Sequence, residues 1–90
     1  MTRVVDNPAR NRFEMDVDGA VAFVDYREMG EVLVVPHTEV PRALEGRGVG
    51  TKLVLGSLDL IRASGRKVRP LCGFYAQVIR RHPEYRDILA

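Results

Sequence analysis

Glu45-Gly46-Arg47-Gly48-Val49-Gly50-Thr51 combines three alternating glycines with one arginine and one hydroxyl. It follows a β-branched run ending His37-Thr38-Glu39-Val40 and opens an apolar-periodic pattern over residues 53–63. A glycine turn feeding a helix leaves several main-chain N–H groups unpaired at the positive end of the helix dipole, an arrangement suited to phosphate. Gly46, Gly48 and Gly50 let the backbone approach a ligand, because no Cβ intervenes. Arg47 is the cation whose guanidinium matches phosphate geometry; the alternative is a solvated loop arginine. Thr51 is placed to offer its hydroxyl from the first helical turn, or to stand as an ordinary surface threonine.

Two further residue types bring chemistry. Cys72 ends an apolar strand pattern just before a helical one, where the helix dipole lowers a thiol pKa; a buried lone cysteine also packs as a small hydrophobe. His37, on another strand, titrates near neutral pH and so qualifies as a general base, or as a structural histidine. His82 precedes Pro83 and reads as a helix-ending or surface group. Two histidines and one cysteine show no metal-ligand spacing, so no metal is expected.

Val40-Pro41-Arg42-Ala43-Leu44-Glu45-Gly46-Arg47-Gly48-Val49-Gly50 resembles the acetyl-coenzyme A loop of the GNAT acyltransferases: a strand valine, a short turn, then Gln/Arg-x-x-Gly-x-Gly/Ala opening a helix. Glu45 stands where that family has Gln or Arg, and a carboxylate beside a pyrophosphate is unfavourable unless its side chain turns outward. His37-Thr38-Glu39-Val40, Pro70-Leu71-Cys72 and Arg81-His82-Pro83-Glu84-Tyr85 are similar to stretches of the very small, stand-alone GNAT-like proteins, and the likeness spans residues 12–89. The resemblance implies binding of acetyl-coenzyme A or coenzyme A. The phosphates would meet Gly46, Arg47, Gly48, Val49, Gly50 and Thr51, and the pantetheine amides would pair with the backbone around Thr38 and Val40. It further implies N-acetyl transfer to an amine that attacks the thioester directly, with Cys72 beside the acyl carbon as relay, proton donor or packing group. The alternative is a non-catalytic module that holds coenzyme A or a protein partner. Larger members carry Asn-x-x-Ala-x-x-Phe-Tyr after the last core strand; here Cys72-Gly73-Phe74-Tyr75-Ala76-Gln77-Val78 brings its tyrosine too early. The cofactor half of a site is therefore legible and the acceptor half is not.

These residues need a scaffold. Phe13, Met15 and Val17 alternate with acids, the period of a half-buried strand, and Asp18-Gly19 supplies a two-residue hairpin turn. Residues 20–27 return as a second strand with Ala22, Val24 and Tyr26 on one face and Val21 and Phe23 on the other, which predicts cover on both sides of the sheet. Residues 31–40 form a third strand whose ladder Pro36 interrupts, since proline has no N–H to donate. That break reads as a strand end or a bulge; the resemblance implies a bulge, with the strand splaying from its parallel neighbour. A helix is expected over residues 48–63 with Val49, Leu53, Val54, Leu58, Leu60 and Ile61 buried, capped by Gly65. Residues 67–71 return as a parallel strand. A second helix over residues 74–81 should bury Phe74, Val78 and Ile79, and a short turn over residues 85–89 closes the chain. The expected fold is α/β in an α+β arrangement: a three-stranded antiparallel meander, a crossover helix, a parallel fourth strand and a C-terminal helix. Residues 1–11 read as a loose lead-in, although Val4-Val5 is able to extend an edge strand, and residues 12–90 as a single domain.

Bulk properties narrow the classes. Ninety residues make one small domain, with 46% hydrophobic and 29% charged residues. A net charge of +2, with basic residues scattered apart from Arg80-Arg81, gives no basis for nucleic-acid binding. No apolar run approaches the ~18 residues of a membrane span, and no signal peptide is expected. With a single cysteine, these features predict a cytoplasmic protein without membrane partners.

Overall fold

The computed structural model describes residues 3–90. An antiparallel run of four strands, β1 (Val5–Asn7), β2 (Arg12–Val17), β3 (Ala20–Met29) and β4 (Val32–Glu39), continues into a fifth, β5 (Lys67–Pro70), parallel to β4; the spatial order is the chain order. Asp18 and Gly19 both take left-handed φ (53° and 85°), as the hairpin between β2 and β3 requires. The Gly19 N–H donates to Asp16 Oδ1 at 3.0 Å and closes that turn.

Pro36 does not end β4. Asp25 pairs with His37 and Arg27 with Val34, so Val35 and Pro36 together stand opposite Tyr26. This is a β-bulge on β4, placed where proline has no N–H to give. On the other edge of β3, the Tyr26 N–H extends the ladder with β2 by donating to the Asn11 carbonyl at 2.9 Å. On its other edge β4 pairs with β5 only from Val32 to Val35, and the Val35 carbonyl accepts both the Leu71 and Cys72 N–H groups at 2.9 and 3.0 Å. Beyond that point β4 runs on beside β3 alone, and its edge parts from β5.

Helix α1 (Val49–Ala63) crosses between β4 and β5, and α2 (Gly73–Arg81) follows β5. Val49, Leu53, Val54, Leu58 and Ile61 of α1 fall into one stripe and are buried. Each such side chain contributes about 1.5–3 kcal/mol of burial. They meet Phe13, Met15, Ala22, Val24, Leu33, Val35 and Val68 of the sheet and Tyr75, Val78 and Ile79 of α2 in one core. The segment Pro83–Ile88 forms 3-10 turns, and Ala90 donates its N–H to Val68 at 2.9 Å beside a parallel bridge from Val68 to Leu89, covering the outer edge of β5.

Four expectations need correction. Residues 1–11 are not all lead-in, because Val5–Asn7 pairs with Arg12–Glu14 as an edge strand; Met1 and Thr2 lie outside the described residues. Both helices join one core on one side of the sheet, so Val21 and Phe23 face the uncovered side rather than a second layer. Leu60 is 37% exposed, and Ser57 takes the core position on that turn. In α2, Phe74 is 41% exposed and Tyr75 fully buried, because Tyr75, Val78 and Ile79 form the i, i+3, i+4 stripe that meets α1.

Candidate functional site

The glycine turn wraps a cleft of about 250 Å³ between the end of β4 and the start of α1, lined by Val40, Leu44, Glu45, Gly46, Gly48, Val49, Gly50, Thr51 and Phe74. Gly48 caps α1 in the left-handed conformation (φ 72°) with no side-chain cap, and the Lys52 N–H is the first to bond back, to the Gly48 carbonyl. The N–H groups of Val49, Gly50 and Thr51 are therefore left for a ligand. Gly46 also has positive φ (78°), and a Cβ on Gly46 or Gly48 would meet nothing within 4 Å. Both glycines thus answer to backbone conformation and leave open approach to the main chain. Gly50 differs: a Cβ there would come within 3.0 Å of the Phe74 ring and 3.4 Å of Val40. Its missing side chain lets Phe74 lie against the helix start and wall the cleft.

Arg47 is not among the lining residues; its guanidinium reaches Asp18 Oδ2 at 3.4 Å on the exposed side of the turn. Glu45 does line the cleft. With Arg47 turned away, main-chain N–H groups are the immediate anion donors of the cleft.

At the parting of β4 and β5, Cys72 Sγ–H donates to Thr38 Oγ1 at 3.6 Å. Burial pushes this thiol up, but N–H groups of Tyr75, Phe74 and Thr38 and the Thr38 hydroxyl all favour the thiolate, and the net result is a pKa below the ordinary thiol value. Behind it, the Tyr75 hydroxyl and Ser57 Oγ share a hydrogen bond at 2.7 Å, and the Ser57 hydroxyl donates to the Val54 carbonyl at 2.7 Å. Burial raises the Tyr75 phenol well above its usual value. No signal for this pair was read from the sequence, although Ser57 breaks the apolar stripe and Tyr75 begins its counterpart in α2.

His37 is not brought to Cys72. Its Nε2 pairs with Glu39 Oε1 at 2.9 Å, and its ring meets the Phe23 ring edge-on at 6.4 Å, on the uncovered sheet face. Thr38 takes the core-side position instead, opposite Val24. The sequence also passed over Leu44 and Phe74 as cleft residues; Leu44, a buried apolar side chain inside a polar turn, was the available signal. His82 bonds the Val78 carbonyl through Nδ1 at 2.8 Å, ending α2. Among the described residues no cluster of His, Cys, Asp and Glu is suited to a metal, and no helix is long and apolar enough to cross a membrane.

The same architecture occurs in proteins already known. A GCN5-like protein of Staphylococcus aureus, solved by NMR, superposes with a TM-score of 0.73 at 25% identity, over 98% of this chain and 87% of that one. Protein NATD1 of Mus musculus is 29% identical over 84 residues, covering 90% of this chain and 76% of NATD1. Its Homo sapiens counterpart is also 29% identical, with 74% of its length covered. The model of the GCN5-related N-acetyl-transferase family matches residues 12–88. With the bulged β4, the parted β5 and the glycine-capped α1, this chain belongs to the GCN5-related N-acetyltransferase family as one of its small members.

Proposed function

We propose that the protein binds acetyl-coenzyme A in the cleft at the start of α1 and transfers the acetyl group to an amine. One observation carries the reading: an open cleft bordered by the uncapped first turn of α1, where the N–H groups of Val49, Gly50 and Thr51 have no partner among the described residues. Those groups fit a pyrophosphate, and the unpaired edge of β4 past Val35 fits an extended amide chain, which would bind as an added strand does. Acetyl-coenzyme A would supply an activated acetyl thioester beside Thr38 and Cys72. There, main-chain N–H groups near the bulge would polarise the thioester carbonyl, while the Cys72 thiol and Thr38 hydroxyl would hold or move a proton. Phe74 and Val40 would exclude water from the apolar part of the arm. Calorimetric titration with acetyl-coenzyme A, coenzyme A and ATP tests this. Binding of the two coenzymes with little ATP affinity is expected; ATP bound as tightly as coenzyme A would reduce the site to a phosphate cradle.

A second reading, a coenzyme A-binding or protein-interaction module without turnover, is favoured by the position of His37. With that ring on the far face, no histidine stands beside Cys72 as a base. Saturable coenzyme binding without acetylation of any amine in a substrate panel would select it.

A further inference from the structure

The face of the sheet turned away from both helices carries an ordered charge pattern. Strand alternation and register put Arg12, Glu14 and Asp16 of β2, Val21, Phe23, Asp25, Arg27 and Met29 of β3, and Val32, Val34, His37 and Glu39 of β4 on it, with Lys67 and Arg69 of β5. Along the strands it divides in two. Towards the hairpin lie Glu14, Asp16, Asp25 and Glu39 against the single cation Arg12, which is occupied by Glu14 at 2.6 Å and by stacking on Phe23 at 4.3 Å. Towards the other end lie Arg27 and Arg69 with no acid among them on this face, and Lys67, whose ammonium donates to the Asp87 carbonyl at 2.9 Å. Apolar groups occupy both halves: Phe23 and Val21 (36% exposed) in the acidic one, Val32 and Met29 (64% exposed) in the basic one. Among the described residues, Asp25, Arg27 and Arg69 have no ion-pair partner within the chain.

We propose that this open sheet face binds the same face of a second copy of the chain, acidic half over basic half. A two-fold axis between the faces, perpendicular to the strands, lays each β3 along the other in reversed direction. Asp25 of each copy then lies over Arg27 of the other, Phe23 over Met29, and Glu39 beside Lys67 and Arg69. A closed two-fold contact needs a self-complementary surface, and a face with opposite charge at its two ends and apolar groups between meets that need. Strands spaced about 4.8 Å make the five-stranded face roughly 24 Å wide, so the area covered lies near the lower end of the ~800 Å² per partner of a standard interface. The dimer is accordingly reversible. It uses none of the cleft residues and does not depend on the function proposed above.

Sedimentation velocity over a concentration series should show a monomer–dimer equilibrium with a dissociation constant on the order of 10–100 µM, weakening about tenfold between low and high salt. Arg27→Asp and Asp25→Arg, each checked for an unchanged melt, should abolish the dimer singly, and the double variant should restore it by exchanging the charges. Should Asp25→Arg fail to fold beside Arg12, Arg27→Asp with Arg69→Glu supplies the disrupting pair. A wild-type protein that stays monomeric to about 1 mM would leave the face to another partner and overturn the proposal. So would a dimer indifferent to Arg27→Asp, or a double variant that stays monomeric.

Discussion

At the residue scale, the glycines of the turn are not equivalent. Gly48 holds a left-handed cap in open space, so Gly48→Val meets backbone strain but no neighbour. It should weaken coenzyme A binding by about 1–3 kcal/mol, the scale of one or two lost charge-assisted hydrogen bonds, as calorimetry on the folded variant would record. Unchanged affinity would remove the turn from the site. Cys72 is set apart by its donors. Its alkylation by iodoacetamide should follow a pH midpoint below the ~8.5 of a free thiol, and Thr38→Val should move the midpoint upward. A midpoint at or above the free value would mean that burial outweighs the surrounding N–H groups. Both residues were legible as candidates from their positions at element ends. His37 and Cys72 stand on opposite faces of the sheet, for a reason the chain itself contains. In a regular strand His37 would share the face of Leu33 and Val35; the extra residue at Pro36 inverts the alternation and gives that face to Thr38.

At the element scale, α1 and α2 are joined by a polar pair inside an apolar interface. Ser57→Ala would leave the Tyr75 hydroxyl buried without its partner and should cost about 1–3 kcal/mol in denaturant unfolding, whereas Ser57→Ala with Tyr75→Phe should recover part of that loss. A double variant no better than Ser57→Ala would place the cost in packing instead. The helix and strand periods were plain in the sequence, and so was the interruption at Pro36, because a missing N–H leaves few places for a proline. The phase of α2 was not. Phe74 and Tyr75 are both large and adjacent, and only the approach of α1, with Gly50 open to the Phe74 ring, decides which one faces inward. Strand β1 is legible only as the option that Val4-Val5 extends an edge, because Val5-Asp6-Asn7 is too short to alternate and is held by pairing with β2.

At the scale of the whole molecule, all three tyrosines are held neutral by the fold. Burial raises Tyr75, and burial with Asp6 as hydrogen-bond partner raises Tyr26. Tyr85 is pushed up to about 12 by its hydrogen bond to Asp59 and by burial. The unfolded chain ionises its phenols near pH 10. The stabilisation is therefore complete below that pH and is lost as pH rises toward the folded values. Thermal melts should stay level to about pH 10 and fall steeply above it, with phenolate absorbance appearing together with unfolding. Phenolate at pH 10 in a still-folded protein would contradict this. The sheet's uncovered face belongs to this scale too. Apolar residues on both sides of β3 led to the expectation of a second covering layer, a need that the sequence registers without showing whether this chain or another copy meets it.

In the function we propose, the first turn of α1 and the free edge of β4 hold acetyl-coenzyme A. The most direct measurement is the ¹H–¹⁵N spectrum of the labelled protein titrated with it. Large, saturable shifts are expected for the amides of Gly48, Val49, Gly50 and Thr51, accompanied by those of Thr38 to Val40, while the amides of Val21 and Arg27 on the open sheet face stay in place. Saturation with the α1 amides unmoved, or with the largest shifts on the open face, would contradict it.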